Sequence, residues 1–138
     1  MLTPQIASAV FSSLISGIST EMDAGFLASL YKCFADSLRT VGSLDPELVT
    51  TFLKATESQL HSLAQKRKIR SDHVADGRDW EEEKEDVLLM EEMEGFALEE
   101  MQKALEVLDP NHPLLIAVGS VKGMRVGASY EDSDDADA

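Results

Sequence analysis

Apolar residues recur along this chain every three to four positions and nowhere alternate strictly, so the pattern predicts helices and no strands. Ile6, Val10, Phe11, Leu14, Ile15 and Ile18 form one stripe, which predicts a helix over 4–18. Thr3 is placed to cap it and Pro4 to sit in its first turn, while Gly17 and the Ser19–Thr20 pair end it. A second helix follows Asp23, with Phe26, Leu27, Leu30, Tyr31, Phe34, Leu38 and Val41 as its apolar face and Gly42 as its stop. The third starts with Asp45 as cap and Pro46 as first helical residue, and Leu44 can staple onto Val49. Its face runs through Leu48, Val49, Phe52, Leu53, Leu60 and Leu63. It ends in Lys66, Arg67, Lys68 and Arg70, cations that suit the negative end of a helix dipole.

The pattern breaks over 71–86, where Gly77 and a mixed charge run leave Val74 and Trp80 as the large apolar groups; an exposed acidic loop is predicted there. Periodicity resumes from Val87 through Leu89, Met90, Met93, Phe96, Ala97, Met101, Ala104, Leu105 and Leu108. Pro110 and Pro113 then stop it. A last short helix, 114–121, is apolar nearly all round, which leaves apolar residues in water unless a neighbour covers them. Residues 123–138 are glycine-spaced and then acidic, and are expected to be disordered.

The second and fourth helices superimpose at an offset of 70 residues, from Gly25 and Phe26 on Gly95 and Phe96 to Leu38 on Leu108. Removing an insertion of roughly 25 residues leaves about 45, the period of HEAT or armadillo helix pairs. The predicted fold is therefore all-α, a HEAT/armadillo-like helical repeat solenoid fragment of about five antiparallel helices. Residues 1–70 hold a first unit, 71–86 the inserted loop, 87–122 a second and incomplete unit, and 123–138 the tail. With nothing predicted to cover the last helix, the chain reads as a piece of a longer array that can self-associate through that helix.

Charge narrows the choice of partner. Across 138 residues there are 26 Asp and Glu against 12 Lys and Arg, a formal net charge of −14. Such a surface repels nucleic acid and anionic lipid and favours basic proteins. With 43% hydrophobic residues a core can form, but no apolar run is long enough to span a bilayer. The apolar start lacks the basic region of a secretory leader. Cys33 is the only cysteine, so no disulfide can close within the chain, and an intracellular setting is expected.

The runs 26–42, 44–60, 65–70, 88–101 and 109–118 resemble the C-terminal half of importin beta-3 (importin-5 type) karyopherins, fungal ones in particular. The resemblance spans about residues 22 to 122. It implies a nuclear transport receptor of HEAT repeats that shuttles between cytoplasm and nucleus. It also implies basic cargo, the Ran GTPase and nucleoporins as partners of the full-length receptor. Members of that family are several times longer, and their N-terminal repeats have no counterpart here.

Several local patterns compete with plain scaffolding. Glu81, Glu82, Glu83, Glu85 and Asp86 are the candidate binding residues for a basic partner, weighed against a solvated acidic face. Asp72, Asp76, Gly77 and Glu83 fit part of a calcium-loop pattern, but Val74 stands where the third ligand belongs. The run 66–70 reads as a helix end balancing nearby acids rather than a localisation signal. Met90, Met93 and Met101 read as core rather than an adaptable groove. Cys33, His61, His73 and His112 are too scattered to be a zinc set, and neither a metal nor a cofactor is expected. No nucleophile elbow, phosphate loop or metalloprotease motif is present, so no catalytic site is predicted. The alternative function is a free-standing acidic helical adaptor or chaperone for basic proteins.

Overall fold

The computed structural model describes residues 4–75 and 80–124, with side chains from 5–72 and 85–124. Five helices make up the described chain: α1 (Pro4–Thr20), α2 (Ala24–Val41), α3 (Pro46–Ala75), α4 (Trp80–Leu108) and α5 (Leu114–Gly123). Gly17 does not stop α1, which runs on to Thr20 with Ser19 and Thr20 bonding back to the Ser16 carbonyl. The start of α2 follows the sequence closely. Asp23 accepts a hydrogen bond from the Phe26 N–H at 2.9 Å. At its end Gly42 adopts φ 89° and donates to the Leu38 carbonyl at 2.7 Å, a left-handed position that a side chain would strain. Asp45 accepts from the Glu47 N–H at 2.9 Å and opens α3.

The main departure lies between α3 and α4. Residues 71–75 continue α3 and residues 80–86 open α4, where an exposed loop was expected over 71–86. Of the tail expected over 123–138, Gly123 ends α5 and Met124 caps it, and residues 125–138 lie outside the described residues. The helix outlasts its cation cluster because Arg67 and Arg70 turn inward to carboxylates of α4 instead of marking a terminus.

Consecutive helices run antiparallel. Late in α1, a β-carbon at Gly17 would meet Leu30 Cδ1 at 3.4 Å early in α2, and Phe11 meets Phe34 edge-on at 5.4 Å. Alternate helices pack side by side: α1 on α3, α3 on α5, and α2 on α4 in the most extensive contact of the fold. The result is two layers, α1–α3–α5 and α2–α4, which is the arrangement of a HEAT-like solenoid. The α2–α4 pair is parallel, with Gly25 against Met93 near one end and Leu38 beside Leu105 and Leu108 at the other.

The 70-residue offset is therefore a physical repeat. Leu27 and Ala97, Tyr31 and Met101, Phe34 and Ala104, and Ala35 and Leu105 are buried as pairs, while Phe26 and Phe96 are exposed as a pair. The core between the layers gathers Phe11, Phe34 and Phe52, with Phe34 stacked on Phe52 at 4.0 Å. Beside them the Tyr31 hydroxyl bonds Thr56 Oγ1 at 3.0 Å. Burial holds that phenol well above its ordinary pKa, opposed by the Thr56 hydrogen bond, so it stays protonated.

On α5, Val118 and Val121 are buried and Leu114, Leu115 and Ala117 half-buried, but Ile116 stays 79% exposed. An all-round apolar helix with one covered face has this consequence.

Candidate functional site

Glu81, Glu82, Glu83, Glu85 and Asp86 fall in the first two turns of α4, not in a loop. The side chains of Glu81, Glu82 and Glu83 lie outside the described residues; Glu85 and Asp86 are exposed. In sequence Glu81 and Glu85, and Glu82 and Asp86, are four residues apart. Like charges so spaced repel, and the positive N-terminal end of the helix dipole offsets part of that repulsion. Exposed Glu92 and Glu99 continue the acidic surface further along α4. An extended row of carboxylates of this kind attracts a basic segment electrostatically.

Two other acids of α4 do something different. Glu91 and Glu94 are buried, and both meet α3. Arg67, 1% exposed, donates from Nε to Glu94 Oε1 at 3.0 Å, from Nη2 to the Glu91 carbonyl at 3.2 Å and from Nη1 to the Val121 carbonyl at 2.9 Å. Arg70 pairs with Glu94 Oε2 and lies 3.7 Å from Glu91 Oε1. One guanidinium thus ties three helices together and adds a donor to the end of α5, where the Val121 carbonyl also accepts the Met124 N–H at 3.0 Å. The sequence alone places Arg67 and Arg70 at a helix end balancing nearby acids, whereas both pair with buried carboxylates in mid-helix. The available signal was the matched spacing, since two arginines three residues apart face two glutamates three residues apart.

The methionines divide. Met101 is core, whereas Met90 and Met93 are 50% and 36% exposed, contrary to the expectation that all three are core. With Met22, Gly25, Leu27, Leu63 and Leu89 they line a recess of about 320 Å³ between the start of α2 and the middle of α4. Phe26 and Phe96, expected in the apolar stripes, are more than half exposed. Phe26 borders a surface hollow with Glu21, Asp23 and Ser29, and Phe96 borders a groove with Arg67 of α3 and Lys122 of α5.

Of the partial calcium pattern, Asp76 and Gly77 lie outside the described residues, and Glu83 falls in the first turn of α4. Asp72 to Ala75 are the last turn of α3, and helical backbone cannot wrap a cation as the first turn of such a loop must. Among the described residues no cluster of His, Cys, Asp and Glu could hold a metal. His112 accepts a hydrogen bond from the Leu114 N–H at its Nδ1, 3.1 Å away, and so helps start α5. No described helix is long and apolar enough to cross a membrane.

Residues 26–112 match the importin repeat 6 family. That stretch begins in α2, spans all of α3 and α4, and ends at the residue that bonds the start of α5. No curated protein and no solved structure matches the chain.

Proposed function

Because the chain belongs to the importin repeat 6 family, and through it to the importin beta family of non-enzymatic transport receptors, we propose that it is a segment of a nuclear transport receptor of the importin-5 type. It contributes protein-binding surface to the import of cargo into the nucleus and works in both cytoplasm and nucleus. The observation that carries this reading is the family match over α2 to α4, the part of the chain that repeats in both sequence and burial. Scaffolds of stacked helices bind through long surfaces rather than pockets, which suits a site made of a row of acids. We propose basic cargo as the ligand of Glu81, Glu82, Glu83, Glu85 and Asp86. Ran and nucleoporins are partners expected of the whole receptor.

A labelled lysine- and arginine-rich peptide titrated against the full chain tests the binding role. Binding is expected to weaken steeply as salt rises, since the exposed charges are screened. It is expected to fall by roughly tenfold or more when the five acids become Gln and Asn. Binding that survives that neutralisation contradicts the assignment.

A further inference from the structure

The α3–α4 hairpin is much longer than the α1–α2 hairpin beside it. α1 and α2 have 17 and 18 residues, whereas α3 and α4 have 30 and 29. A β-carbon built on Gly25, at the start of α2, would lie 2.6 Å from Met93 Cε, which sets the register of α2 against α4. Residues 80–92 of α4 and the matching end of α3 therefore project past the α1–α2 turn, by roughly 20 Å. The recess of about 320 Å³ lies in the corner between that turn and the projecting hairpin.

The corner is apolar in the middle and acidic at both ends. Met22 is 83% and Leu89 57% exposed, with Met90 and Met93 beside them, and adjoining apolar side chains left open to water mark a surface on which something packs. Glu21 and Asp23 flank Met22 on the turn. On α4, exposed Glu85 and Asp86 precede Leu89 and Met90 by one helical turn on the same faces. Of the other charged groups lining the recess, Glu94 is held by Arg67 and Arg70, and Lys66 stands on the α3 side.

From this we propose that the corner binds a basic amphipathic helix of a partner protein. Apolar side chains three or four residues apart in that helix enter the recess, a spacing that matches Leu89 and Met93, and Lys or Arg on either side of them reach the two acidic pairs. The flexible methionine side chains let the recess mould itself to such a stripe. The basic character of the helix rests on the reading of Glu85 and Asp86 as a site for basic cargo; its apolar anchors do not.

The recess is not the seat of a neighbouring repeat. A preceding repeat would pack on the sides of α1 and α2 away from α3 and α4, and a following one on the sides of α4 and α5 away from α2 and α3. The recess lies between α2 and α4, which pack on each other. A second copy of the chain, at a formal net charge of −14, would bring acid to acid. So would residues 125–138, with Glu131, Asp132, Asp134, Asp135 and Asp137.

The probe is a peptide of Leu, Lys and Ala written as an amphipathic helix, with two leucines four residues apart among lysines; its control has alanine in place of both leucines. Each is titrated into the full chain carrying carbon-13-labelled methionine methyls. The leucine peptide is expected to shift Met22, Met90 and Met93 and to leave buried Met101, and Met124 at the end of α5, in place. Its affinity is expected to exceed that of the control by roughly tenfold or more, and to lose that advantage when the chain carries Leu89→Gln with Met90→Gln. Both positions are exposed and glutamine is a good helix former, so the fold tolerates the exchange. Leucine-dependent shifts that survive Glu85→Gln with Asp86→Asn support the recess and count against the acidic row alone. Salt-sensitive binding that is equal for the two peptides and leaves the three methionines in place supports the acidic row and overturns the recess. No shift with either peptide at millimolar concentration also overturns it.

Discussion

Replacing Arg67 with leucine is expected to destabilise the fold by about 3–5 kcal/mol, the usual cost of breaking a buried ion pair from one side. The substitution leaves Glu94 with Arg70 alone and the Val121 carbonyl with the Met124 N–H alone, while the Glu91 carbonyl loses its bond from the guanidinium. For a chain of this length the melting temperature should fall by on the order of 10 °C. Arg67→Lys should recover less than half, because an ammonium is a point charge that cannot reach two helices through one planar fork. Chemical denaturation of both variants, with amide exchange in α5, checks this. A loss below ~1 kcal/mol, or an α5 as well protected as in the parent, contradicts the clamp.

The second large effect belongs to Phe34. It is fully buried where α1, α2 and α3 meet, stacked on Phe52 with ring planes 3° apart and edge-on to Phe11. Phe34→Ala removes both contacts and leaves a cavity among rigid rings, with an expected cost of about 3–5 kcal/mol. Phe26→Ala is the informative comparison, since both residues belong to the same apolar stripe. Phe26 is 58% exposed, and its truncation should shift stability by no more than ~0.5 kcal/mol. Equal losses at the two positions, measured by urea denaturation, would show that the stripe is buried more deeply than described.

That contrast shows where sequence stops being informative. Caps at Asp23 and Asp45, the stop at Gly42 and the faces of α2 and α3 are local, and each could be read from a few neighbouring residues. The repeat offset was legible too, because Gly25–Phe26 and Gly95–Phe96 mark equivalent places in equivalent helices. What escaped was pairing between helices. Arg67 and Arg70 look like a terminus until Glu91 and Glu94 are brought opposite them, and only then does α3 have reason to continue to Ala75. Phe26, Met90, Met93 and Phe96 follow the apolar period but stay more than a third exposed, and periodicity alone cannot tell a covered edge of a stripe from an open one. The acidic candidates were found as a run of like charge. Their place on helical turns rather than a loop depended on the same unread boundary.

The central claim is that α2 and α4 are neighbouring copies of one repeat in one layer, and the chain's single cysteine allows that to be measured. Cys33 is exposed on α2, and Lys103, 70 positions later, is exposed on α4. Spin labels on Cys33 and on Lys103→Cys should show strong short-range dipolar coupling, because parallel packed helices place equivalent positions about 10 Å apart. In an up-and-down four-helix bundle the second and fourth helices lie on a diagonal and their outward positions face opposite sides, more than about 25 Å apart. Strong coupling is the result the repeat architecture predicts, and a separation in that longer range would contradict it.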